Sequence, residues 1–144
     1  MRIYLDNCCF NRPYDDQENP AVRSETEKKL LIQNEIASGG FDLVWSCMMD
    51  YEVGNNPFPK RRKAIMAWRS LAVENVRLND TIHFRRQHYM AFGLKSNDAT
   101  HLACAVEAGC ACFITTDKGV LRKQAQIHDI QILNPVAFVR GYQG

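Results

Sequence analysis

Long apolar runs are absent from this sequence of 144 residues. The N-terminal apolar stretch is interrupted at Asp6, so it lacks the continuous hydrophobic region of a secretory signal peptide. No segment approaches the roughly 20 apolar residues that a membrane-spanning helix needs. Linkers rich in proline, glycine or serine are missing, and so are repeats and low-complexity tracts. These absences predict a single domain over residues 1–144, with no membrane association.

A strong net charge is also missing. Lysine and arginine number 18 against 16 aspartates and glutamates, so the formal net charge is only +2. Taken over the whole chain, this balance is too weak to indicate a nucleic-acid partner. If four of the acidic residues are neutralised by a bound metal, 12 acids remain against 18 bases, and the resulting charge of +6 would attract phosphate.

The cysteines and histidines show no spacing typical of a zinc site. Cys8-Cys9 and Cys110-x-Cys112 fall short of the CxxC pairs that zinc sites use. The histidines, which form no recognisable ligand pattern, are His83, His88, His101 and His128. Six cysteines in a chain without a secretory signal predict a reducing compartment, the cytoplasm.

Hydrophobic periodicity predicts strands that alternate with helices. The predicted strands are Arg2–Leu5, Asp42–Ser46, Asn75–Leu78, Cys112–Thr115 and Ile130–Leu133. The predicted helices are Ala21–Ser38, Met48–Val53, Lys60–Ala72, Thr81–Phe92, Ala99–Ala108 and Val120–Ala125. The turn-forming composition of Asn7–Pro20 predicts a long loop. This alternation predicts an α/β fold with a parallel sheet that is covered by helices on both faces.

Four acidic residues are candidates for one site. Asp6 and Asp117 each follow a predicted strand, at the sheet edge where open α/β folds bind their ligands. Glu52 lies on the element after the second strand, and Asp98 opens the helix before Cys112–Thr115. Converging carboxylates repel one another unless a hard divalent cation neutralises them. Mg²⁺ accepts oxygen ligands of this kind, so the pattern predicts a metal site that requires no Cys or His.

The sequence resembles the PIN-domain nucleases, which include the toxin ribonucleases of bacterial toxin-antitoxin pairs. The resemblance covers nearly the whole chain and is carried by IYLDNCCF around Asp6, SCMMDYEV ending after Glu52, NDATHLACAVEAG around Asp98, and FITTDKGVL around Asp117. It implies a five-stranded parallel sheet and a Mg²⁺- or Mn²⁺-dependent endoribonuclease. It also implies a homodimer and an antitoxin partner.

The resemblance also implies a role for each residue. Asp6, Asp98 and Asp117 are the principal ligands, directly or through water, and Glu52 is a further ligand or the base that orients water. Thr115 contributes a hydroxyl near the metal. Asn7 stands beside Asp6 where the family often has Thr or Ser, and it is expected behind the ligands. The metal lowers the pKa of a bound water, and that water hydrolyses the phosphodiester.

Several positions have alternative interpretations. Asn97-Asp98 before an Ala-rich helix is also typical of a helix N-cap. Asp50 competes with Glu52, although two residues apart on a helix they face different sides. His101, three residues after Asp98, is more typical of a packed or hydrogen-bonded histidine than of a catalytic one.

The basic residues that are candidates for RNA contact also have a second interpretation. They are Lys60, Arg61, Arg62 and Lys63, together with Arg12, Arg122 and Lys123. A short basic run at the start of a helix is also typical of a solvated face. At the level of function, the alternatives are a non-catalytic RNA- or protein-binding module and a metal-dependent DNA nuclease or phosphatase.

Overall fold

The computed structural model describes residues 1–142 and contains one five-stranded sheet. Its strands are β1 (Arg2–Leu5), β2 (Asp42–Ser46), β3 (Glu74–Val76), β4 (Cys112–Ile114) and β5 (Gln131–Leu133). All neighbouring pairs are parallel, and the strand order is β3-β2-β1-β4-β5. The predicted parallel α/β fold is confirmed.

Helices connect these strands. They are α1 (Asn7–Asn11), α2 (Pro20–Ala37), α3 (Cys47–Gly54), α4 (Pro59–Met66), α5 (Asp80–Ala91), α6 (Ser96–Glu107), α7 (Lys118–Leu121) and α8 (Pro135–Tyr142). Short 3-10 helices cover Arg12–Tyr14 and Ala67–Leu71. Among residues 1–142, no helix combines the length and apolar character that crossing a membrane would require.

The core lies on both faces of the sheet. Consecutive residues of β1, β2 and β4 are buried, whereas a strand with one wet face would alternate. Tyr4, Trp45 and Phe113 are fully buried large side chains of these strands, and the rings of Tyr4 and Phe113 stack with centroids 5.3 Å apart. Burial on both faces shows that helices cover the two sides, as the βαβ pattern predicted.

The prediction of a long irregular loop over Asn7–Pro20 is wrong. Asp6 accepts a hydrogen bond from the backbone of Asn7 and so caps α1, and a 3-10 turn continues it. Asn19 then caps α2, which begins with Pro20. Asparagine and proline, read as turn formers, act here as helix starts.

One further helix prediction differs from the structure, and one helix of the structure was not predicted. The helix predicted over Lys60–Ala72 divides into α4 and a 3-10 helix. Helix α8 was not predicted; Asn134 starts it by accepting the backbone N–H of Ala137 at 2.7 Å. Phe138 of this helix is fully buried, so packing as well as capping holds it.

The strand order reverses beside β1. Strands β2 and β3 extend the sheet on one side of β1, and β4 and β5 extend it on the other. A crevice therefore opens between the carboxyl ends of β1 and β4, where such a topology places its ligand. The chain leaves these two strands at Asp6 and Thr115.

Candidate metal centre

Asp6 is held rigidly at the carboxyl end of the central strand. Its backbone N–H donates to Ile114 across the sheet at 2.9 Å. One carboxylate oxygen, Oδ1, accepts the backbone N–H of Asn7 at 2.8 Å, and Oδ2 accepts the hydroxyl of Thr115 at 2.9 Å. The residue is only 5% exposed. These contacts orient a buried carboxylate without using all of its lone pairs.

The structure brings Asp6, Glu52 and His101 into one cluster. One ligand atom from each lies within 4.8 Å of the other two. Nε2 of His101 is hydrogen-bonded to the Glu52 carboxylate and lies 3.9 Å from Oδ1 of Asp6. His101 is thus packed and hydrogen-bonded, as expected, but it also forms part of the cluster. Its position three residues after Asp98 on a helix was the available signal, because residues with that spacing share a face.

A buried row of hydrogen bonds supports His101 from behind. The Tyr4 hydroxyl lies 2.6 Å from Nδ1 of His101 and 2.6 Å from the Ser46 hydroxyl. Oγ of Ser46 in turn accepts the backbone N–H of Met49 at 3.3 Å, which caps α3. Sequence reasoning assigned no role to Tyr4 or Ser46. The row ties the helix that carries Glu52 to the imidazole that contacts it.

Neighbouring negative charges raise the pKa of His101 more than burial lowers it. Burial by itself lowers the pKa of an imidazole. The hydrogen bond to Glu52 and the nearby carboxylates of Asp6 and Asp98 nevertheless raise the pKa of His101 above its ordinary value. The imidazole is therefore held where negative charge accumulates.

Asp98 lies in the first turn of α6, and the interpretation of it as the helix cap is wrong. The cap residue is Lys95, which makes no side-chain capping bond. Within residues 1–142, the Asp98 carboxylate has no hydrogen-bond partner. Burial, and then the charges of Asp6 and Asp117, raise its pKa to about 6. The like-charge effect shows that Asp98 shares the electrostatic environment of the other two acids.

Asp117 is more exposed and has a second structural role. It caps α7, because Oδ1 accepts the backbone N–H groups of Gly119 at 2.8 Å and Val120 at 3.2 Å. Its own N–H donates at 3.0 Å to the Thr115 hydroxyl, which in turn donates to Asp6. Thr115 therefore links the two strand-end acids. Neither Asp98 nor Asp117 completes a close cluster of three among the residues that the structure describes.

The donor set suits a hard divalent cation. A Mg²⁺ or Mn²⁺ ion about 2.1 Å from its ligands joins oxygen atoms up to about 4 Å apart. The separation of at most 4.8 Å in the cluster is close to that limit, and the like-charge effect on Asp98 is one that a cation removes. Asp6 and Glu52 would bind the ion, Asp98 and Asp117 would complete the negative field, and His101 would orient Glu52.

Asp50 faces away from this centre. Its Oδ1 accepts Nε1 of Trp45 at 2.9 Å and forms an ion pair with Arg69, also at 2.9 Å. Glu52, two residues later, turns toward His101 instead. The structure thus places the two acids on different sides of α3.

For the RNA cleavage that the resemblance to PIN domains implies, Asp50→Asn is expected to change the rate less than about threefold, whereas Glu52→Gln should lower it at least about a hundredfold. Single-turnover rates of the two variants on one RNA substrate measure this difference. The free energy of unfolding of Asp50→Asn should fall by about 1 kcal/mol, because the Trp45 and Arg69 contacts lose a charged partner. Equal rate losses would contradict the separation of the two side chains.

Of the four basic residues on α4, two are exposed to solvent and two contact other groups of the protein. Lys60 and Lys63 are exposed. Nη1 of Arg62 donates to the backbone oxygen of Asn56 at 2.9 Å. The Arg61 guanidinium lies over an aromatic ring, 4.0 Å from the centroid of Phe58. The two lysines are the residues of this run whose charges face solvent.

The other basic candidates differ in the same way. Arg12 forms ion pairs with Glu25 at 2.8 Å and with Asp15 at 3.1 Å, so its charge is already compensated. Arg122 is exposed and Lys123 is partly buried, one turn beyond the Asp117 cap. Arg122 is therefore the candidate nearest to Asp117 with an exposed side chain.

Comparison with known proteins gives structural matches only. No family model matches the chain, and no curated protein matches it. A chain of VapBC2 from Rickettsia felis, solved bound to a DNA fragment from the promoter, aligns with a TM-score of 0.54 and 14% identity, over 93% of this chain and 98% of that one. A chain of VapBC-1 from nontypeable Haemophilus influenzae aligns with a TM-score of 0.57 and 15% identity, over 94% and 98%. The predicted resemblance to PIN domains is thereby confirmed for the fold.

Proposed function

We propose that this chain is a Mg²⁺- or Mn²⁺-dependent endoribonuclease that hydrolyses phosphodiester bonds in RNA. The observation that carries the proposal is the convergence of Asp6 and Glu52 at the switch point of the sheet, within the electrostatic reach of Asp98 and Asp117. A site of this composition has little use for a neutral or anionic ligand. It suits a cation that in turn binds a phosphate.

Each residue has a role in the proposed reaction. The cation supplies Lewis acidity toward the phosphate and lowers the pKa of a bound water. Asp6 is the fixed ligand, because Asn7 and Thr115 hold its two oxygens in place. Glu52, oriented by His101, would bind the ion and accept a proton from the water beside it. Asp98 and Asp117 complete the negative field around the ion.

The proposal extends to partners and compartment. The structural matches come from VapBC complexes, which supports an antitoxin protein as partner and a toxin role for this chain. We propose a single nuclease domain that forms a homodimer and acts in the cytoplasm. All six cysteines are free thiols, in keeping with a reducing compartment.

A cleavage assay tests this function directly. Purified protein is incubated with single-stranded RNA, duplex RNA and DNA of one sequence, in Mg²⁺, in Mn²⁺ and in chelator. Cleavage of RNA that requires metal supports the proposal. Cleavage of DNA alone would assign a DNA nuclease, and metal-independent RNA binding without cleavage would assign a binding module.

Lys60 and Lys63 are expected to contact phosphates of the bound RNA. For single strands, each phosphate contact adds about 0.7 to the slope of log affinity against log salt concentration. The double variant Lys60→Ala/Lys63→Ala should therefore bind RNA more weakly at all sequences and lose about 1.4 from that slope. Fluorescence anisotropy titrations from low to moderate salt measure it. Arg140→Ala on α8, an exposed cation late in a different helix, is the matched control. An unchanged slope in the lysine variant would leave these side chains as a solvated face.

A further inference from the structure

Beside the candidate metal centre, two exposed aromatic rings enclose an arginine. The Arg61 guanidinium lies 4.0 Å from the ring centroid of Phe58 and 4.8 Å from that of Tyr14. Phe58 is 51% exposed and Tyr14 is 41% exposed. We call these three residues the aromatic stack.

Local structure does not account for Phe58. It is the N-cap residue of α4, a position where Asn, Asp or Ser would gain a side-chain capping bond, and it makes none. Half of the side chain remains in water, so burial in the core does not explain it either. The stack with Arg61 holds the ring in place, and its solvent-facing surface stays available.

A ladder of asparagines connects the stack to the metal centre. Asn7, whose N–H binds Asp6, accepts Nδ2 of Asn11 at 3.1 Å. Oδ1 of Asn11 accepts Nδ2 of Asn56 at 3.2 Å, and Oδ1 of Asn56 accepts the backbone N–H of Phe58 at 3.0 Å. Asn7 and Asn11 lie at the two ends of α1, which has five residues and a length of about 7.5 Å. Hydrogen bonds thus connect the backbone of Phe58 to the residue that holds Asp6.

We propose that the aromatic stack binds an unpaired nucleobase of the RNA substrate, close to the bond that is cut. This inference rests on the proposed function. An aromatic ring supported by a guanidinium offers a flat, polarised face on which any base can stack. The exposed Lys60 and Lys63 of the same helix place positive charge where the sugar-phosphate backbone would pass.

Stacking of this kind favours single-stranded RNA. A base within a duplex has both faces covered by its neighbours, so it reaches Phe58 only after unstacking. The base that contacts the stack must therefore be unpaired, as it is in loops and at ends. An apolar segment of a protein partner is the competing occupant, and binding measurements with RNA alone separate the two.

The test combines a protein change with an RNA change. Affinities are measured in chelator, where no cleavage is expected, for a single-stranded RNA, its duplex, and a series with one abasic nucleotide at each position in turn. The variants are Phe58→Ala, Phe58→Tyr, which keeps the ring, and Phe84→Ala, which removes a still more exposed phenylalanine from α5.

Phe58→Ala should weaken single-stranded RNA binding roughly 5- to 150-fold. Phe58→Tyr and Phe84→Ala should bind as the wild type does, and duplex binding should not change. At one abasic position the effect of Phe58→Ala should disappear, because the base that it contacts is already missing. An equal loss on single strand, duplex and every abasic RNA, or no loss at all, would overturn the proposal.

These affinities, combined with the cleavage assay described above, separate this inference from the proposed reaction. A base-dependent loss in a protein that cuts no RNA would retain the stack and reject the nuclease. Metal-dependent cleavage by a protein whose RNA affinity ignores Phe58 would retain the nuclease and reject the stack.

Discussion

Asp6→Asn is expected to lower metal-dependent RNA cleavage at least about a thousandfold, because a ligand to the cation supplies several kcal/mol of transition-state stabilisation. The fold should survive. An asparagine oxygen can still accept the N–H of Asn7, and its NH₂ group can donate to the hydroxyl of Thr115, which now donates to Asp6. Single-turnover rates with saturating Mn²⁺ measure the loss.

The matched control for this variant is Asp42→Asn. Asp42 begins β2 at the opposite edge of the same sheet, where its nearest ionic partner is the N-terminal amine at 3.9 Å. Its replacement removes one carboxylate from the sheet without touching the carboxyl ends of the strands. A rate for Asp6→Asn within about tenfold of the control would show that this carboxylate is not a ligand.

Asp98→Asn is expected to raise the melting temperature of the metal-free protein by about 3–8 °C at pH 8. Burial and the neighbouring carboxylates raise the pKa of Asp98 from 3.8 to about 6. At 1.36 kcal/mol per unit, and after a discount for partial solvent screening, the ionised form costs about 1–2 kcal/mol of folding stability. The neutral amide removes this cost.

The stabilisation by Asp98→Asn is expected to depend on pH, because only the ionised carboxylate of Asp98 costs folding stability. Because the folded pKa is raised above the unfolded one, the folded protein binds the extra proton, and wild-type stability falls as the pH rises from about 4 to about 6. The advantage of Asp98→Asn should therefore be complete above pH 6 and vanish below pH 4. Melting curves in chelator at a series of pH values measure it.

Bound metal is expected to make the wild type melt at a higher temperature than Asp98→Asn. A cation that binds only the folded wild type stabilises it by about 2.7 kcal/mol at a concentration 100 times its dissociation constant. The Asn variant should gain less, so the two melting temperatures should cross during a Mn²⁺ titration. Asp80→Asn is the control, since Asp80 also lies in the first turn of a helix. If Asp98→Asn and the control Asp80→Asn responded to chelator and Mn²⁺ in the same way, the four acids would not share a cation.

Asp98 is a better position for this experiment than Asp6. Asp6 caps α1 and accepts the hydroxyl of Thr115, so its replacement also disturbs two native contacts. The Asp98 carboxylate has no hydrogen-bond partner within residues 1–142. A cap role for Asp98, which the sequence left open as an alternative, would have made Asp6 the cleaner position.

The strands were predictable because burial on both faces produces short, continuous apolar runs. Arg2–Leu5 and Asp42–Ser46 were predicted with the bounds that the structure has. The helices of the segment after Asp6 were not, since Asn and Pro favour turns and helix starts alike, and only the surrounding contacts decide between them. Asn7 and Asn19 lie at such starts.

The site was predictable only where topology decides it. Asp6 and Asp117 follow directly from strand ends, and parallel strands present those ends at one edge. The contact of His101 with Glu52 joins residues 49 positions apart, and that of Tyr4 with His101 joins residues 97 apart. No local pattern encodes such pairings, so the buried row behind the acids required the folded structure.

The position of Asp6 on the central strand also determines when the site can be assembled during synthesis of the chain. Its partner Thr115 lies 109 residues later in the chain. A ribosome adds about 5–20 residues per second, so this partner is made about 5–20 s after Asp6. A nascent chain that ends before Thr115 carries the first acid without the neighbours that orient it. If the chain has the proposed nuclease function, the site therefore cannot be assembled on the ribosome until most of the chain has emerged.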